Sequence, residues 1–507
     1  MSEQPRPVPT TGWPTWPQRP PSATARALRE FWALRSPGAS TAVLGGCLAV
    51  ALVAGPLTVG FTPGLGLAVV GALVWLPALP ALVRGRRWLD LALAAASVAL
   101  VAVVAVRDAD WLVALCLLAA LGAAAVVAGA ARSTLAILLS GASWAVGVVR
   151  AVPWLRDGAS QAAGGRRERV LSLVRSLALT LALLLVFGAL FATADEVFAS
   201  YLPSVSVRLL PGQVVVGVLA LAVTASLAHL AGNPPSWSDL ALAPARPARR
   251  LEWLLPVGSL AAMVVAFVLV QLGGVLGGHR HVLQAAHLTY AQYARHGFAQ
   301  LVAVTLLTLV VVAVAARRAP RESARDRLVV RIALGVLCVG TLGVVASALR
   351  RVDLYVEAYG MSRLRMVLIT GELFLAAVLL LVMVAGIRWR AAWLGRAVVL
   401  AAAVSVLALA ALNPDARIVR YDAQAPLASD LDVSYLQGLS ADAVPAMDAL
   451  AEPLRSCLLS GVPVNAPQGW RDWSLGRSRA ATVTAAATPA GAYADYACTQ
   501  YFLATAP

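Results

Sequence analysis

Uninterrupted apolar runs of about 20 residues recur along the 507-residue chain and constrain its fold more than any other feature. At about 1.5 Å per residue, a helix of that length crosses the roughly 30 Å hydrocarbon layer of a bilayer. Charged residues make up only 13% of the chain, too few to solvate several soluble domains, in which about 25% is usual. A soluble enzyme, a disordered chain and a disulfide mini-protein are therefore excluded.

Eleven of these runs predict spanning helices, so the expected fold class is an all-α polytopic transmembrane helical bundle. The predicted spans are about 41–60, 64–83, 89–106, 111–131, 174–194, 212–230, 253–276, 299–316, 331–349, 366–387 and 397–412. A further run, 133–149, is apolar but short. Whether this run spans decides the orientation of every later helix.

Arginine placement predicts that orientation. All 41 basic residues are arginines, and most of them cluster between apolar runs. Short cytoplasmic loops carry an excess of positive charge. If 133–149 does not span, the arginine-rich loops at 246–250 and 317–327 lie inside, whereas the arginines of 350–365 are an exception on the outside. We therefore expect 133–149 to be re-entrant or interfacial, the N-terminus inside and the C-terminus outside a bacterial inner membrane.

Three domains follow from this topology. Residues 1–39 are rich in proline and read as a disordered cytosolic tail, and 40–412 form the membrane domain. Residues 413–507 are predicted to form a small extracytoplasmic domain of α+β or mixed structure. Cys457 and Cys498 lie in this domain, where an oxidising space permits a disulfide, although the sequence leaves bonded and free thiols equally open.

One polar segment, 277–298, has helical spacing but is too polar to span. We interpret it as an interfacial helix with tyrosines at headgroup level. A metal or proton site is the alternative, but a His-x-His pair without a third spaced ligand is a weak zinc signal, so no metal is predicted. The metal or proton site would be built from His279, His281, His287 and His296, whereas Tyr290, Tyr293 and Arg295 lie near the end of the interfacial helix.

Charged side chains at span boundaries are the remaining candidates. Asp195 and Glu196 lie at the outer end of the fifth span, and Arg363 and Arg365 lie at the entrance of the tenth. Glu372 lies about two turns below Arg365, within the apolar stretch. An intramembrane carboxylate is costly and points either to a structural ion pair or neutral acid, or to a transport site.

No motif of nucleophilic, metal-dependent or nucleotide-dependent catalysis occurs in the sequence, so we expect neither an enzyme nor a cofactor. The expected partners are the lipid bilayer and, at the basic loops 150–169 and 317–331, anionic lipids or a cytosolic protein, but not nucleic acid. The favoured function is a non-catalytic membrane scaffold or envelope sensor. The alternative is a transporter or exporter of a small or lipid-like substrate that uses Glu372.

Five stretches are distinctive: FATADEVFASYLP (191–203), YAQYARHGF (290–298), YVEAYGMSRLR (355–365), NPDARIVRYD (413–422) and LDVSYLQGLSADAVPAM (431–447). They resemble stretches of an uncharacterised bacterial membrane family of the DUF4173 type, within the broader DUF4153 group. The resemblance covers roughly residues 180–450 and implies a multi-pass inner-membrane protein, without an activity or catalytic residues. Because the first four stretches fall at outer ends of spans, we expect one extracytoplasmic vestibule covered by the C-terminal domain.

Overall fold

The computed structural model describes residues 30–36, 38–83, 88–164, 209–237, 249–276, 298–320, 322–389, 391–425, 431–486 and 498–499, with single helical positions between 172 and 194. Eleven helices in these ranges are long and apolar enough to span a membrane. They are α1 (Thr41–Thr58), α2 (Leu65–Val83), α3 (Trp88–Ala105), α4 (Asp110–Ala128), α5 (Thr134–Ala163), α6 (Leu210–Gly232), α7 (Arg250–Leu276), α8 (Phe298–Arg318), α9 (Ala324–Tyr359), α10 (Arg363–Arg388) and α11 (Leu394–Ala411).

This architecture confirms a multi-helix membrane-type bundle, but the eleven helices are not the eleven predicted ones. The set includes α5, which begins with the short run 133–149, and it leaves out 174–194, most of which lies outside the described residues. Several of the helices begin after a serine that is recognisable in the sequence as an N-cap residue. The hydroxyls of Ser40, Ser133 and Ser362 each accept a hydrogen bond from the first turn of the helix that follows, which satisfies a backbone N–H that the helix leaves unpaired.

One end of the bundle carries the C-terminal domain, and we call it the docked end. The turn after α1, the turn after α3 and the turn after α9 all contact that domain: Leu65 N–H donates to Trp473 O, Asp108 N–H to Asp442 and Met361 N–H to Asp422. We call the opposite end the basal end. Helix α4 ends at the basal end, and α6 begins beside Gly60 at the docked end. The chain therefore passes from the basal end to the docked end between residues 129 and 209.

Helix α5 lies across the basal end. Its residue Ile137 packs against Gly395, where α11 begins, and its residue Gly158 packs against Ala39, just before α1. Both α1 and α11 begin at the basal end, so α5 contacts that end near both of its own termini. A single continuous helix excludes the re-entrant turn expected at 133–149. These contacts favour the interfacial alternative, and the depth of α5 relative to a bilayer stays a prediction.

Residues 30–36 and 38–39, the last part of the range 1–39 predicted as a disordered tail, make contacts with the bundle. The side-chain oxygen of Asn233, at the end of α6, accepts hydrogen bonds from Arg35 N–H at 2.7 Å and from Ser36 N–H at 3.0 Å. Trp154 of α5 donates to the Ser36 hydroxyl. Residues 30–36 and 38–39 therefore pack on the basal end, while 1–29 lie outside the described residues.

The described residues of the C-terminal domain form helices joined by turns and the irregular segment 462–474, without strands, so the expectation of an α+β or mixed fold is wrong for residues 413–425 and 431–486. Its helices are α12 (Pro414–Asp422), α13 (Val433–Gln437), α14 (Val444–Asp448), α15 (Leu454–Gly461) and α16 (Leu475–Ala486). A compact core of fully buried Ile418, Leu436, Met447 and Leu458 holds them together. Cys457 and Cys498 form a disulfide.

Candidate functional site

An ion pair between Arg363 and Asp415 joins the bundle to the C-terminal domain. Arg363 opens α10, and Asp415 lies in the first turn of α12, with Asn413 as its N-cap and Pro414 before it. The guanidinium binds both carboxylate oxygens, with Nε to Oδ1 at 3.0 Å and Nη2 to Oδ2 at 2.7 Å. Such bidentate pairs fix geometry as well as charge. Asp415 is fully buried, so this contact is an internal part of the junction.

Neighbouring groups add hydrogen bonds to this ion pair. Ser440 N–H donates to Asp415 Oδ2 at 2.9 Å, and Arg363 N–H donates to the Tyr435 hydroxyl at 2.9 Å. Burial by itself raises the pKa of Asp415, but the hydrogen bonds from Arg363 and Ser440 outweigh it and hold the pKa below its usual range. Asp415 is therefore a carboxylate at neutral pH.

The turn between α9 and α10 provides a second contact, through Gly360 and Asp422. Gly360 has a φ of +75°, a conformation that suits glycine, and a Cβ there would lie 2.7 Å from Asp422 Oδ1. The same oxygen accepts Met361 N–H at 2.5 Å. Burial raises the pKa of Asp422 to about 6, although the Met361 hydrogen bond and the positive charge of Arg365 act against it. We call the contact of residues 360–363 with Asp415, Asp422, Tyr435 and Ser440 the docking junction.

Arg365 caps the C-terminal end of α9. Its guanidinium donates to the carbonyl oxygens of Tyr359, at 2.8 Å, and Gly360, and it lies 4.3 Å from the centre of the Tyr355 ring. The last carbonyls of a helix lack partners within the helix and carry partial negative charge, so a cation there is stabilising. Arg365 therefore shapes the turn that presents Met361 and Arg363.

Two further contacts fasten the domain to the other turns. Asp442 accepts the N–H groups of Asp108, at 2.7 Å, and Ala109, at 3.1 Å, which lie between α3 and α4. Arg477 pairs with Asp108 at 3.0 Å and donates to Thr62 and Pro63, between α1 and α2. Burial raises the pKa of Asp108 to about 6, against the lowering effect of Arg477. The domain is thus held at three turns, each of which joins two helices.

Glu372 lies apart from this junction, within α10. Its side chain is 2% exposed, and Oε2 makes no hydrogen bond to any residue that the structure describes. Nine residues separate it from Arg363, which places it about 14 Å further along the helix. Arg365, about two turns away along α10, donates to the carbonyls at the end of α9 and has no described contact with Glu372.

The structure brings together part of what the sequence pointed to. The distinctive stretches 355–365, 413–422 and 431–447 meet at the docking junction, but they form a packed contact rather than an open vestibule. Asp195, Glu196, His279, His281, Tyr290, Tyr293 and Arg295 lie outside the described residues. No three metal-ligating side chains converge in the part of the chain that is described.

Sequence reasoning missed the carboxylates of the junction. Asp415 and Asp422 lie in a stretch that was recognised as distinctive, but nothing in its spacing connects them to a turn more than 50 residues earlier in the chain. Asp442 carries no local signal either, since a lone aspartate before a short helix is common. The available signal for Asp415 was the Asn-Pro-Asp sequence, which is a strong helix start.

The comparisons with known proteins give one match. Residues 94–450, most of the chain, match the family model described as a domain of unknown function, DUF4153. No curated protein and no solved structure matches the chain. The matched range begins in α3 and ends within the C-terminal domain, so it includes the complete docking junction.

Proposed function

The chain belongs to the DUF4153 family, a domain of unknown function, and from its geometry we propose that it works as a non-catalytic membrane scaffold or envelope sensor. In this proposal the C-terminal domain perceives a protein or polymer of the cell envelope. The bundle carries the resulting shift to the basal end. The resemblance to DUF4153 that the sequence suggested is confirmed, and the family name brings no activity with it.

The observation that carries the proposal is the buried Arg363–Asp415 pair. A flexible tether would leave the domain free to move, whereas a bidentate pair with a fully buried carboxylate ties it to the start of α10. Helices α9 and α10 both run from this turn to the basal end, where Arg331 of α9 donates to the Ile387 carbonyl of α10. A displacement of the domain therefore acts on two helices that reach the other end.

Charge supports an orientation with the basal end in the cytoplasm. Arginines at or near the basal end include Arg35, Arg132, Arg150, Arg156, Arg250, Arg317, Arg318, Arg325, Arg327 and Arg331. At the docked end Arg363 pairs with Asp415 and Arg477 with Asp108, and at the basal end Arg250 pairs with Asp326. A positive excess is typical of the cytoplasmic side, so the arginines of the basal end support an orientation with the C-terminal domain and its disulfide outside the cell membrane.

Complementation of a deletion strain under envelope stress tests this function against transport. Asp415→Asn breaks the docking junction, and Glu372→Gln removes a buried carboxylate of α10 whose Oε2 has no hydrogen bond to the described residues. A scaffold or sensor requires that Asp415→Asn fails to complement while Glu372→Gln complements fully, at equal abundance in the membrane. Loss of complementation by Glu372→Gln, with Asp415→Asn active, contradicts the proposal.

The transport alternative has one specific observation in its favour, which is Glu372. A buried carboxyl oxygen without a hydrogen bond to the described residues is costly in a structural role and is typical of a site that exchanges a proton or a ligand. Purified protein in vesicles with a pH gradient measures this directly. Proton or solute flux that Glu372→Gln abolishes supports transport, and the absence of flux in the wild-type protein supports the scaffold or sensor.

A further inference from the structure

A cavity of about 300 Å³ lies between α8, α9, α10 and the start of α11, near the basal end. Leu309, Val312, Val330, Cys338 and Met383 are among the residues that line it, and most of its wall is apolar. Its size is at the lower limit for sites that hold small ligands, about 300–1,000 Å³. It has no part in the docking junction and does not include Glu372 among its lining residues.

The surroundings of this cavity are those of a lipid-facing surface. Leu306, Leu307 and Val310 of α8 and Ile332 and Val336 of α9 are all exposed large apolar residues. These helices are among the candidate spans, so such side chains meet acyl chains in a bilayer. The molecules that reach the cavity most often are therefore membrane lipids.

One charged residue marks the mouth of the cavity. Arg331 is the only charged side chain among the described residues that line it. Arg331 is exposed, and one of its five N–H donors is used on the Ile387 carbonyl at 3.0 Å. Arginine binds phosphate through several N–H groups at once, and Arg331 lies about two turns from the basal end of α9. A cavity with an apolar wall and a cation at its mouth fits one class of ligand, an amphiphile with an anionic headgroup.

We propose that this cavity binds one acyl chain of an anionic phospholipid from the basal leaflet, with its phosphate on Arg331. The site is independent of the proposed function, because it requires only that α8, α9 and α10 span the bilayer. Gly335 and Gly386 line it, and a Cβ on either residue would meet no atom within 4 Å. The two glycines therefore leave space for a chain where larger residues would fill it.

The test is native mass spectrometry of the purified full-length protein, released from nanodiscs of phosphatidylcholine with or without phosphatidylglycerol. We expect the wild-type protein to retain phosphatidylglycerol. Gly335→Leu fills the cavity and should abolish retention, and leucine is also the better helix former. Arg331→Ala should lower retention of phosphatidylglycerol relative to phosphatidylcholine about five-fold, the effect expected for one arginine near anionic lipid.

Matched controls separate this site from general charge or helix effects. Arg325→Ala removes an equal charge at the start of α9 but does not line the cavity, and Gly258→Leu adds an equal side chain to open space on α7. Both should retain lipid as the wild-type protein does, with unchanged thermal unfolding. Retention by Gly335→Leu at the wild-type level, equal losses from Arg331→Ala and Arg325→Ala, or a second copy of the chain in place of lipid overturns the proposal.

Discussion

The guanidinium of Arg396 lies 2.6 Å from the carboxylate of Asp90, and both side chains are almost completely buried, at 2% and 3% exposure. The pair joins the start of α11 to the start of α3 across 306 positions of sequence. In the sequence, Arg396 lies just before the predicted span 397–412 and counts among the arginines expected in cytoplasmic loops. The structure shows instead that part of its role is internal, as the partner of a carboxylate between two helices.

A double-mutant cycle on this pair should show strong coupling. Asp90→Leu or Arg396→Met leaves one buried charge without its partner, and each should cost about 3–5 kcal/mol of unfolding free energy. The double variant has no buried charge and should recover much of that loss. Denaturant unfolding in detergent measures the cycle, and additive losses would show that the two side chains do not interact.

Arg363→Lys should loosen the C-terminal domain without removing the charge. Lysine is a point charge on a flexible stem and cannot bind both oxygens of Asp415 in the geometry that the guanidinium uses. The loss of one charge-assisted hydrogen bond should cost about 1.5–3 kcal/mol. Protease accessibility of the 462–474 segment reports the loosening, with the exposed Arg417→Lys as the control, which should leave cleavage unchanged.

The docked domain should become less stable as pH rises from about 4 to about 6. Burial raises the pKa of Asp108 and of Asp422 to about 6 in the folded protein, from an ordinary value of 3.8. The folded state therefore binds more protons than the unfolded state in this window, so stability is present below it and is lost as pH rises through it.

Asp422→Asn is the check on this pH dependence. An amide oxygen can still accept Met361 N–H, but the side chain no longer titrates. Because Asp108 still titrates, and burial raises the pKa of Asp442 as well, the variant should lose part of the pH dependence of thermal unfolding between pH 4 and pH 7 and keep the rest. A variant with the full wild-type dependence would exclude Asp422 as a source.

Gly360→Ala should destabilise the docking junction by more than about 1 kcal/mol, since a left-handed backbone and a close carboxylate both oppose a side chain there. Gly371→Ala, at the ninth position of α10 and with open space around its Cβ, should be neutral or slightly stabilising. Thermal unfolding of the two variants, side by side, measures the difference, and equal midpoints would contradict the account of this turn.

Labelling from one side of the membrane checks the orientation. Cysteine introduced at Gly469, an open position in the C-terminal domain, should react with an impermeant maleimide in intact cells. Cysteine at Arg325, at the basal end, should react only after the membrane is permeabilised. The native free cysteines Cys47, Cys116 and Cys338 are buried and should stay unlabelled. The reverse pattern would place the C-terminal domain in the cytoplasm.

How much the sequence predicts depends on the length scale of each signal. Apolar runs of about 20 residues are local, so the membrane helices follow from composition and length alone. The pairs Arg396–Asp90 and Arg363–Asp415 join residues that are 306 and 52 positions apart, and no spacing rule connects such residues. The helices α13, α14 and α15 are only five to eight residues long, too short for a clear 3.6-residue period, so the sequence led to an α+β or mixed domain although 441–459 has helical patches.

Helix α5 contacts α1, α4, α6 and α11 while it lies across their basal ends. Because α5 bridges the basal ends of these four helices, they cannot separate there unless their contacts with Thr134–Ala163 are broken first. In the part of the chain that the structure describes, α2, α3 and α7 to α10 have no contacts of this extent with α5, so α5 does not hold their basal ends together in the same way.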